Sequence, residues 1–187
     1  ILPDSSVSLS GTGLNPTRTG LLKVLERMGL AYTVEQEGLK GGEPTGTVTV
    51  HSSRLRATEV SGSEIPLLID ELPILAVAAT QAEGITEIRG AMELRFKESD
   101  RIVAVTQGLA ALGADIVELE DGWRISGRSK LHGGRVSGMG DHRVAMALAI
   151  AALTADSPVE IDDPECVGIS YPGFFTTLDA LAGRDAS

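Results

Sequence analysis

Three segments of the 187-residue chain share one design, and this repetition restricts the folds that are open to it. The segments are "NPTRTGLLKVLERMG" from Asn15, "ESDRIVAVTQGLAALG" from Glu98 and "SYPGFFTTLDALAG" from Ser170. Apolar residues recur in each at positions i, i+4 and i+7, which is the spacing of one helix face. Each segment ends at a glycine that can close a helix in the left-handed conformation: Gly29, Gly113 and Gly183. We predict three helices whose starts are marked by Asn15, Ser170 and either Ser99 or Asp100.

Two Ala-rich segments alternate with these three helices. One is "DELPILAVAATQAEGITEI" from Asp70, and the other is "DHRVAMALAIAALTADSPVEI" from Asp141. Both begin with aspartate, continue through a nearly uncharged stretch and end in a short β-like segment. A helix that is apolar on all sides has to be buried on all sides. We therefore predict that these two helices are central.

Short β-like segments lie between the helices: "TGTVTVHSS", "ADIVELEDGWRISG", in which we place Trp123 on an edge strand, and "GRVSG". The order of strand, loop, helix, strands and buried helix repeats about two and a half times, with a period of roughly 70 to 85 residues. This order predicts a pseudo-symmetric α/β fold with short sheets and right-handed crossovers. Because no linker or low-complexity segment interrupts it, we expect one domain over residues 1–187.

Charge and composition exclude several classes of function. A net charge of -10 argues against non-specific nucleic-acid binding, so any anionic ligand has to be held locally. The longest apolar run, "VAMALAIAAL", is shorter than the roughly 20 residues that span a bilayer. The single cysteine, Cys166, excludes an intrachain disulfide and a thiolate metal cluster, which predicts a cytoplasmic location. The chain begins at Ile1 rather than Met, so we expect a processed product or a piece of something longer.

The informative residues lie at the predicted helix starts, which a repeated unit directs to one face. Helix N-termini carry unpaired N–H groups and partial positive charge, so this face favours anions. Arg18, Arg101 and Arg143 are predicted in first helical turns, and Arg143 follows Asp141, the predicted cap of its helix, by two residues. A cation there opposes the helix dipole at a cost of about 0.3 to 1 kcal/mol unless an anion offsets it. Three such arginines indicate anion recognition; the alternative is local ion pairing of Arg101 with Glu98 and of Arg143 with Asp141.

Other charged residues at these starts have two interpretations each. Asp70 and Glu98 either face one cleft and divide acid and base work, or are capping or solvated carboxylates. Lys97 either holds an anion or points into solvent. His142 is a candidate proton carrier or anion ligand, and no metal-ligand spacing links it to the other histidines. The pattern of these residues leaves both interpretations open.

Taken together, the motifs resemble the enolpyruvyl transferase family, in particular the carboxy-terminal half of members that act on shikimate 3-phosphate. The motifs that follow the family's order and spacing are "GLNPTRTGLLKVLERMG", "IDELPILAVAA", "ELRFKESDRI", "DHRVAMALAIAAL" and "SYPGFF". The combination of KESDR with DHR is the most specific of them. The resemblance implies one domain of an inside-out α/β barrel, with three βαβαββ units, pseudo-threefold symmetry and an active site facing an amino-terminal domain.

The resemblance also implies a reaction and a role for each charged residue. The family transfers the carboxyvinyl group of phosphoenolpyruvate to the 5-hydroxyl of shikimate 3-phosphate, and it requires no metal or organic cofactor. By position, Asp70 is the candidate base and Glu98 relays the proton at the phosphoenolpyruvate methylene. Lys97 matches a lysine of the shikimate-phosphate site. The groups that match the surroundings of the phosphoenolpyruvate phosphate and carboxylate are Arg101, His142 and Arg143.

Two departures from the family pattern qualify this expectation. Ile169 stands where many members have a lysine, which puts affinity for phosphoenolpyruvate and its mimic glyphosate in question. The amino-terminal domain is missing from the chain, so we expect the chain to fold but to turn over little or nothing alone. Two alternatives stay open: a transferase that acts on UDP-N-acetylglucosamine, and a non-catalytic domain of this fold that binds anions or a protein partner.

Overall fold

The computed structural model of the chain describes residues 1–183, in which strands and helices alternate. In chain order the elements are β1 (Ser6–Gly13), α1 (Gly20–Arg27), β2 (Ala31–Lys40), β3 (Glu43–His51), β4 (Glu59–Val60), α2 (Leu72–Gln81), β5 (Gly84–Ile88), α3 (Arg101–Ala111), β6 (Asp115–Leu119), β7 (Gly122–Gly127), β8 (Gly134–Val136), α4 (His142–Ala152), β9 (Val159–Ile161) and α5 (Phe174–Leu181). Short 3-10 helices occupy Gly62–Leu67, Ile69–Glu71, Met92–Phe96 and Pro164–Ile169. Within this described part, no helix is long and apolar enough to cross a membrane.

The strands form three sheets that repeat one plan. The middle sheet has the order β4-β5-β7-β6, with β4 parallel to β5 and the other pairs antiparallel. The first sheet has the order β1-β3-β2 and is antiparallel throughout, whereas β8 and β9 pair in parallel. The middle segment, β4-α2-β5-α3-β6-β7, is thus a complete βαβαββ unit. The segment before it matches its last four elements and the segment after it matches its first four, so the predicted α/β repeat is confirmed.

The two Ala-rich helices, α2 and α4, lie at the centre as predicted. Leu72, Leu75 and Ala76 of α2 are fully buried, as are Val144 and Ala151 of α4. Burying a leucine side chain stabilises a fold by about 1.5 to 3 kcal/mol, so these apolar helices anchor the core. Their starts therefore have fixed positions relative to each other.

Trp123 corrects one expectation about the sheets. It lies in β7, which pairs with β5 on one side and β6 on the other, so the prediction of an edge strand was wrong. Its side chain is 0% exposed, and Nε1 donates to the Ile102 carbonyl and to Thr106 Oγ1, both at 3.1 Å. The β6–β7 hairpin is visible in the sequence, but which of its strands gains a second neighbour depends on a pairing distant in sequence.

The outer helices α1 and α5 begin later than predicted. Asn15 Oδ1 accepts the Thr17 N–H at 3.0 Å in a local turn, so Asn15 does not cap α1. Arg18 accordingly precedes the first turn of α1, and its predicted conflict with the helix dipole was wrong. Ser170 lies four residues before α5. Pro172 lies between them, and because the residue before a proline is disfavoured in helical backbone angles, the helix begins only after the proline. Asparagine and serine side chains bond to nearby backbone in turns as readily as at helix caps.

Candidate functional site

The start of α3 directs an arginine into the protein interior. Asp100 is the N-cap of α3, because its Oδ1 accepts the Val103 N–H at 3.1 Å. Arg101 follows it, and its side chain is 1% exposed. The guanidinium donates to carboxylates from three segments: Asp141 Oδ2 at 2.7 Å, Asp70 Oδ1 at 3.1 Å and Glu98 Oε2 at 2.6 Å. Arg101 is therefore the centre of an acidic cluster.

The start of α4 supplies the buried carboxylate of that cluster. Asp141 is 0% exposed and caps α4, with Oδ1 accepting the N–H groups of Arg143 at 2.9 Å and Val144 at 3.4 Å. Burial by itself raises the pKa of Asp141, but the Arg101 guanidinium and the two amides outweigh burial, and the pKa is lowered. Burial likewise acts to lower the pKa of Arg101, but the carboxylates of Asp141, Glu98 and Asp70 together outweigh burial, so that pKa is raised. Both groups are therefore charged at neutral pH.

Asp70 connects the two arginines at the helix starts. It lies in the 3-10 turn Ile69–Glu71 that leads into α2, and its side chain caps neither element. Asp70 Oδ1 binds Arg101 Nη1 at 3.1 Å, and Oδ2 lies 3.4 Å from Arg143 Nη2. The Asp70 carbonyl also accepts a hydrogen bond from Arg143 Nη1 at 3.3 Å. Through Asp70, residues at the starts of α2, α3 and α4 are thus in direct contact.

Several groups of the site are open to solvent. The side chains of Lys97, Arg143 and Glu98 are 25%, 35% and 52% exposed. Lys97 Nζ donates to Glu93 Oε1 at 2.6 Å. His142 is 8% exposed, and its Nδ1 lacks a hydrogen-bond partner among the residues that the structure describes. The accessible cations can approach an anionic ligand, whereas Arg101 is enclosed by protein carboxylates.

The expected local ion pairs account for only part of these contacts. Arg101 does pair with Glu98, yet its other two partners, Asp70 and Asp141, are distant in sequence. Arg143 donates its backbone N–H to Asp141, but its guanidinium pairs with Asp70, and Glu71 Oε1 lies 4.0 Å away. The expected side-chain pair between Arg143 and Asp141 was therefore wrong, because the cap geometry turns the two side chains in different directions.

A cavity of about 170 Å³ adjoins Asp70 and Arg143. Glu71 also lines it, and its remaining walls are apolar and come from α2, α4 and α5: Pro73, Ile74, Met146, Ala147, Ile150 and Phe174. Ile169, at the end of the 3-10 helix before α5, is 77% exposed. Within residues 1–183, the His, Cys, Asp and Glu side chains form no group of three that could hold a metal ion.

The structure brings together Asp70, Glu98, Arg101 and Arg143, and it places Lys97 and His142 on the adjoining segments. Sequence reasoning identified Asp141 as a cap and missed its second role as the buried partner of Arg101. Two residues beside the site, Glu71 and Glu93, were also missed. The sequence did contain a signal for both residues in their positions relative to predicted site residues. Glu71 follows Asp70 directly, and Glu93 lies one helical turn before Lys97.

Comparison with known proteins gives a consistent match over nearly the whole chain. Residues 1–178 match the family model described as EPSP synthase (3-phosphoshikimate 1-carboxyvinyltransferase). A 3-phosphoshikimate 1-carboxyvinyltransferase from Thermosynechococcus vestitus is 52% identical over 182 residues, which are 97% of this chain and 41% of the relative. The enzyme of that name from Petrotoga mobilis is 51% identical, with 97% and 42% covered. The chain thus spans about two-fifths of the length of these relatives.

A solved structure of EPSP synthase from Acinetobacter baumannii superimposes on the chain with a TM-score of 0.89 at 39% identity. The match covers 96% of this chain and 41% of that one. It confirms the predicted fold class, an inside-out α/β fold of repeated βαβαββ units with pseudo-threefold symmetry. Since the sequence match and the structural match agree over almost all of its length, this chain belongs to the EPSP synthase family.

Proposed function

We propose that this chain supplies one half of an active site that transfers the carboxyvinyl group of phosphoenolpyruvate to the 5-hydroxyl of shikimate 3-phosphate. The observation that carries this proposal is the convergence of Asp70, Glu98, Arg101 and Arg143 from three separate segments. Two polyanionic substrates need cations, and the reaction needs groups that move protons. The helix starts provide both within one cluster.

Two carboxylates divide the proton transfers in this proposal. Asp70 removes the proton of the 5-hydroxyl, whose oxygen attacks C2 of phosphoenolpyruvate, while Glu98 delivers a proton to the C3 methylene. In the resulting tetrahedral intermediate the bond between C2 and the phosphate oxygen then breaks. Glu98 takes back a proton from C3, which restores the vinyl group, and the proton held by Asp70 leaves with the phosphate. The hydrogen bonds of Arg101 to both carboxylates, at 3.1 and 2.6 Å, support this assignment because they set the two groups on one side of the cluster.

The accessible cations bind substrate anions in this proposal. Arg143 has a planar fork of donors that suits the carboxylate or phosphate of phosphoenolpyruvate, and it is loosely held by Asp70 at 3.4 Å. Lys97 serves the phosphate of shikimate 3-phosphate, for which it must leave Glu93. His142 is the first residue of α4 and directly precedes Arg143. Arg101 reaches phosphoenolpyruvate only after Asp70 or Glu98 releases part of its guanidinium.

The remainder of the site belongs, in this proposal, to an amino-terminal domain. The chain spans 41% of the Thermosynechococcus relative, which leaves room for such a partner in a longer protein. We propose that residues 1–187 form one domain of that protein and lack turnover alone. One hydrophobic cluster that extends from Val24 in α1 to Ala151 in α4 supports the single domain. No cofactor is needed, and a cytoplasmic location is proposed with this role.

A chimera tests the proposed function. In it, this chain replaces the matched segment of the Thermosynechococcus relative, and phosphate release is followed with phosphoenolpyruvate and either shikimate 3-phosphate or UDP-N-acetylglucosamine. We expect turnover with shikimate 3-phosphate alone, and the unaltered relative is the control. Turnover with UDP-N-acetylglucosamine would favour the other transferase. A folded chimera that binds shikimate 3-phosphate and phosphoenolpyruvate without turnover would favour a non-catalytic domain.

A further inference from the structure

Arg95 connects the segment that carries Lys97, Glu98 and Arg101 to the β6–β7 hairpin. It is the penultimate residue of the 3-10 helix Met92–Phe96, and its side chain is 19% exposed. The guanidinium makes four hydrogen bonds. One goes to Asp100 Oδ2 at 2.8 Å, and the others go to Glu118 Oε1 at 2.9 Å and to the carbonyls of Leu119 and Glu120, both at 2.8 Å. Arg95 therefore links Asp100, the cap of α3, to the end of β6 and the turn that follows it.

This arrangement closes the segment between residues 95 and 100 into a side-chain-linked loop. Asp100 uses both oxygens, since Oδ1 caps the first turn of α3 at Val103 and Oδ2 binds Arg95. Lys97 and Glu98 lie within the closed loop, and Arg101 follows it directly. Three of the groups assigned to substrates therefore depend on the position of one aspartate. The position of that aspartate depends in turn on Arg95.

The guanidinium is well suited to this task. A planar fork with fixed donors binds several acceptors at defined angles, whereas a flexible ammonium group does not. The β6–β7 hairpin is a rigid support because β7 lies inside its sheet and carries the fully buried Trp123. A displacement of about 1 Å in a supporting group can reduce catalysis by about 100-fold. Because Arg95 binds both the hairpin and Asp100, it restricts the movement of the loop between residues 95 and 100.

We propose that Arg95 is a positioning residue that keeps Lys97, Glu98 and Arg101 in their substrate-binding arrangement without contacting substrate. This inference rests on the proposed function for its catalytic consequence, but its structural part can be tested separately. Arg89, which follows β5, provides a matched comparison because it binds Asp121 in the turn of the same hairpin. It pairs with Glu87 at 2.9 Å and with Asp121 at 3.3 Å, and these bonds do not involve the Lys97–Arg101 segment.

Hydrogen exchange on this chain tests the structural part with the variants Arg95→Met and Arg89→Met. In Arg95→Met we expect peptides that cover residues 97–104 to exchange about 10-fold or more faster, because charged hydrogen bonds that close the loop are lost. Arg89→Met should accelerate exchange near Gly90 and leave residues 97–104 unchanged. Asp100→Asn keeps a capping side chain but loses the charged bond to Arg95, so it should reproduce part of the effect even if Arg95→Met does not fold.

Kinetics of the chimera test the catalytic part. We expect Arg95→Met to raise the KM values for both substrates by about 10- to 100-fold, at temperatures where the variant is fully folded. A residue that acts only on global stability would lower the melting temperature and leave both KM values unchanged, as we expect for Arg89→Met. Unchanged KM values and unchanged exchange at residues 97–104 in Arg95→Met would overturn the inference. An inactive parent chimera with accelerated exchange in Arg95→Met would count against the proposed function alone.

Discussion

The starts of α3 and α4 each place an arginine within two residues of a capping aspartate, Arg101 after Asp100 and Arg143 after Asp141. The Arg101 side chain is 1% exposed and donates to three carboxylates, whereas Arg143 is 35% exposed and lies 3.4 Å from one. A buried arginine needs protein anions to offset its desolvation, and an accessible arginine can exchange such a partner for a ligand. A cation at a helix start therefore indicates negative charge nearby, and burial determines whether protein or ligand supplies it.

The largest expected effect is at the buried pair. Asp141→Asn keeps a capping side chain but leaves Arg101 without its fully buried carboxylate, so we expect a loss of about 3 to 5 kcal/mol in the free energy of unfolding. Asp100→Asn, the same change at the other cap, should cost about 1 to 2 kcal/mol, because its arginine partner is less buried. Urea unfolding of the chain measures both. Equal losses of unfolding free energy in the two variants would show that burial of the arginine partner does not distinguish the two helix starts.

Glu98 at the start of α3 is exposed enough to be tested for catalysis without a large effect on stability. We expect Glu98→Gln to lower the kcat of the chimera by about 100- to 10,000-fold, because the amide cannot deliver a proton. The melting temperature should change little, since the side chain is 52% exposed. Glu93→Gln is the matched control and should keep most of the activity. If Glu98→Gln turned over as fast as the parent, the assignment of the acid would be wrong.

Acid should weaken the cluster in a pH range set by Asp141. Its pKa is lowered in the folded chain, so its contribution is fully present above the unfolded value of about 3.9 and disappears as pH falls through the folded value. The difference in unfolding free energy between the parent and Asp141→Asn should be constant from pH 5 to 7 and shrink below about pH 4. Urea unfolding across this range is the measurement. A difference that stays constant down to pH 2 would contradict the lowered pKa.

The smallest expected effect concerns Lys97 and Glu93. This pair is an exposed ion pair at 2.6 Å with Glu93 68% exposed, so Glu93→Gln should cost about 0.2 to 0.5 kcal/mol of stability. Removing this competitor should slightly increase the affinity of the chimera for shikimate 3-phosphate. Calorimetric titration of the parent and the variant measures this change. Weaker binding in Glu93→Gln would show that Glu93 orients Lys97 instead of competing with the ligand.

Features with a local physical cause could be predicted from the sequence. The periodicity of α3, the uncharged central helices α2 and α4 and the cap Asp141 each follow from residues within one element, as does the choice of Ser99 or Asp100 for the cap of α3. The β6–β7 hairpin is equally local. The order of these elements sufficed to predict the repeat and hence the shared face of the helix starts.

Other features depend on contacts that no local pattern encodes. Arg101 and Asp141 are 40 residues apart, and nothing in either segment specifies that they meet as a buried pair. The starts of α1 and α5 were misplaced because Asn15 and Ser170 suit turns as well as caps. The role of Arg95 became visible only when the structure brought it together with the β6–β7 hairpin.

The contrast between the two arginines predicts that Arg143 binds substrate directly, whereas Arg101 reaches phosphoenolpyruvate only after a carboxylate releases it. The most direct test is the dependence of phosphate release on phosphoenolpyruvate in the chimera, with and without Arg143→Ala. We expect the variant to raise the KM for phosphoenolpyruvate by about 10-fold or more, with a melting temperature close to that of the parent. An unchanged KM in a folded, active variant would mean that Arg143 serves only the protein's own carboxylates and does not bind phosphoenolpyruvate.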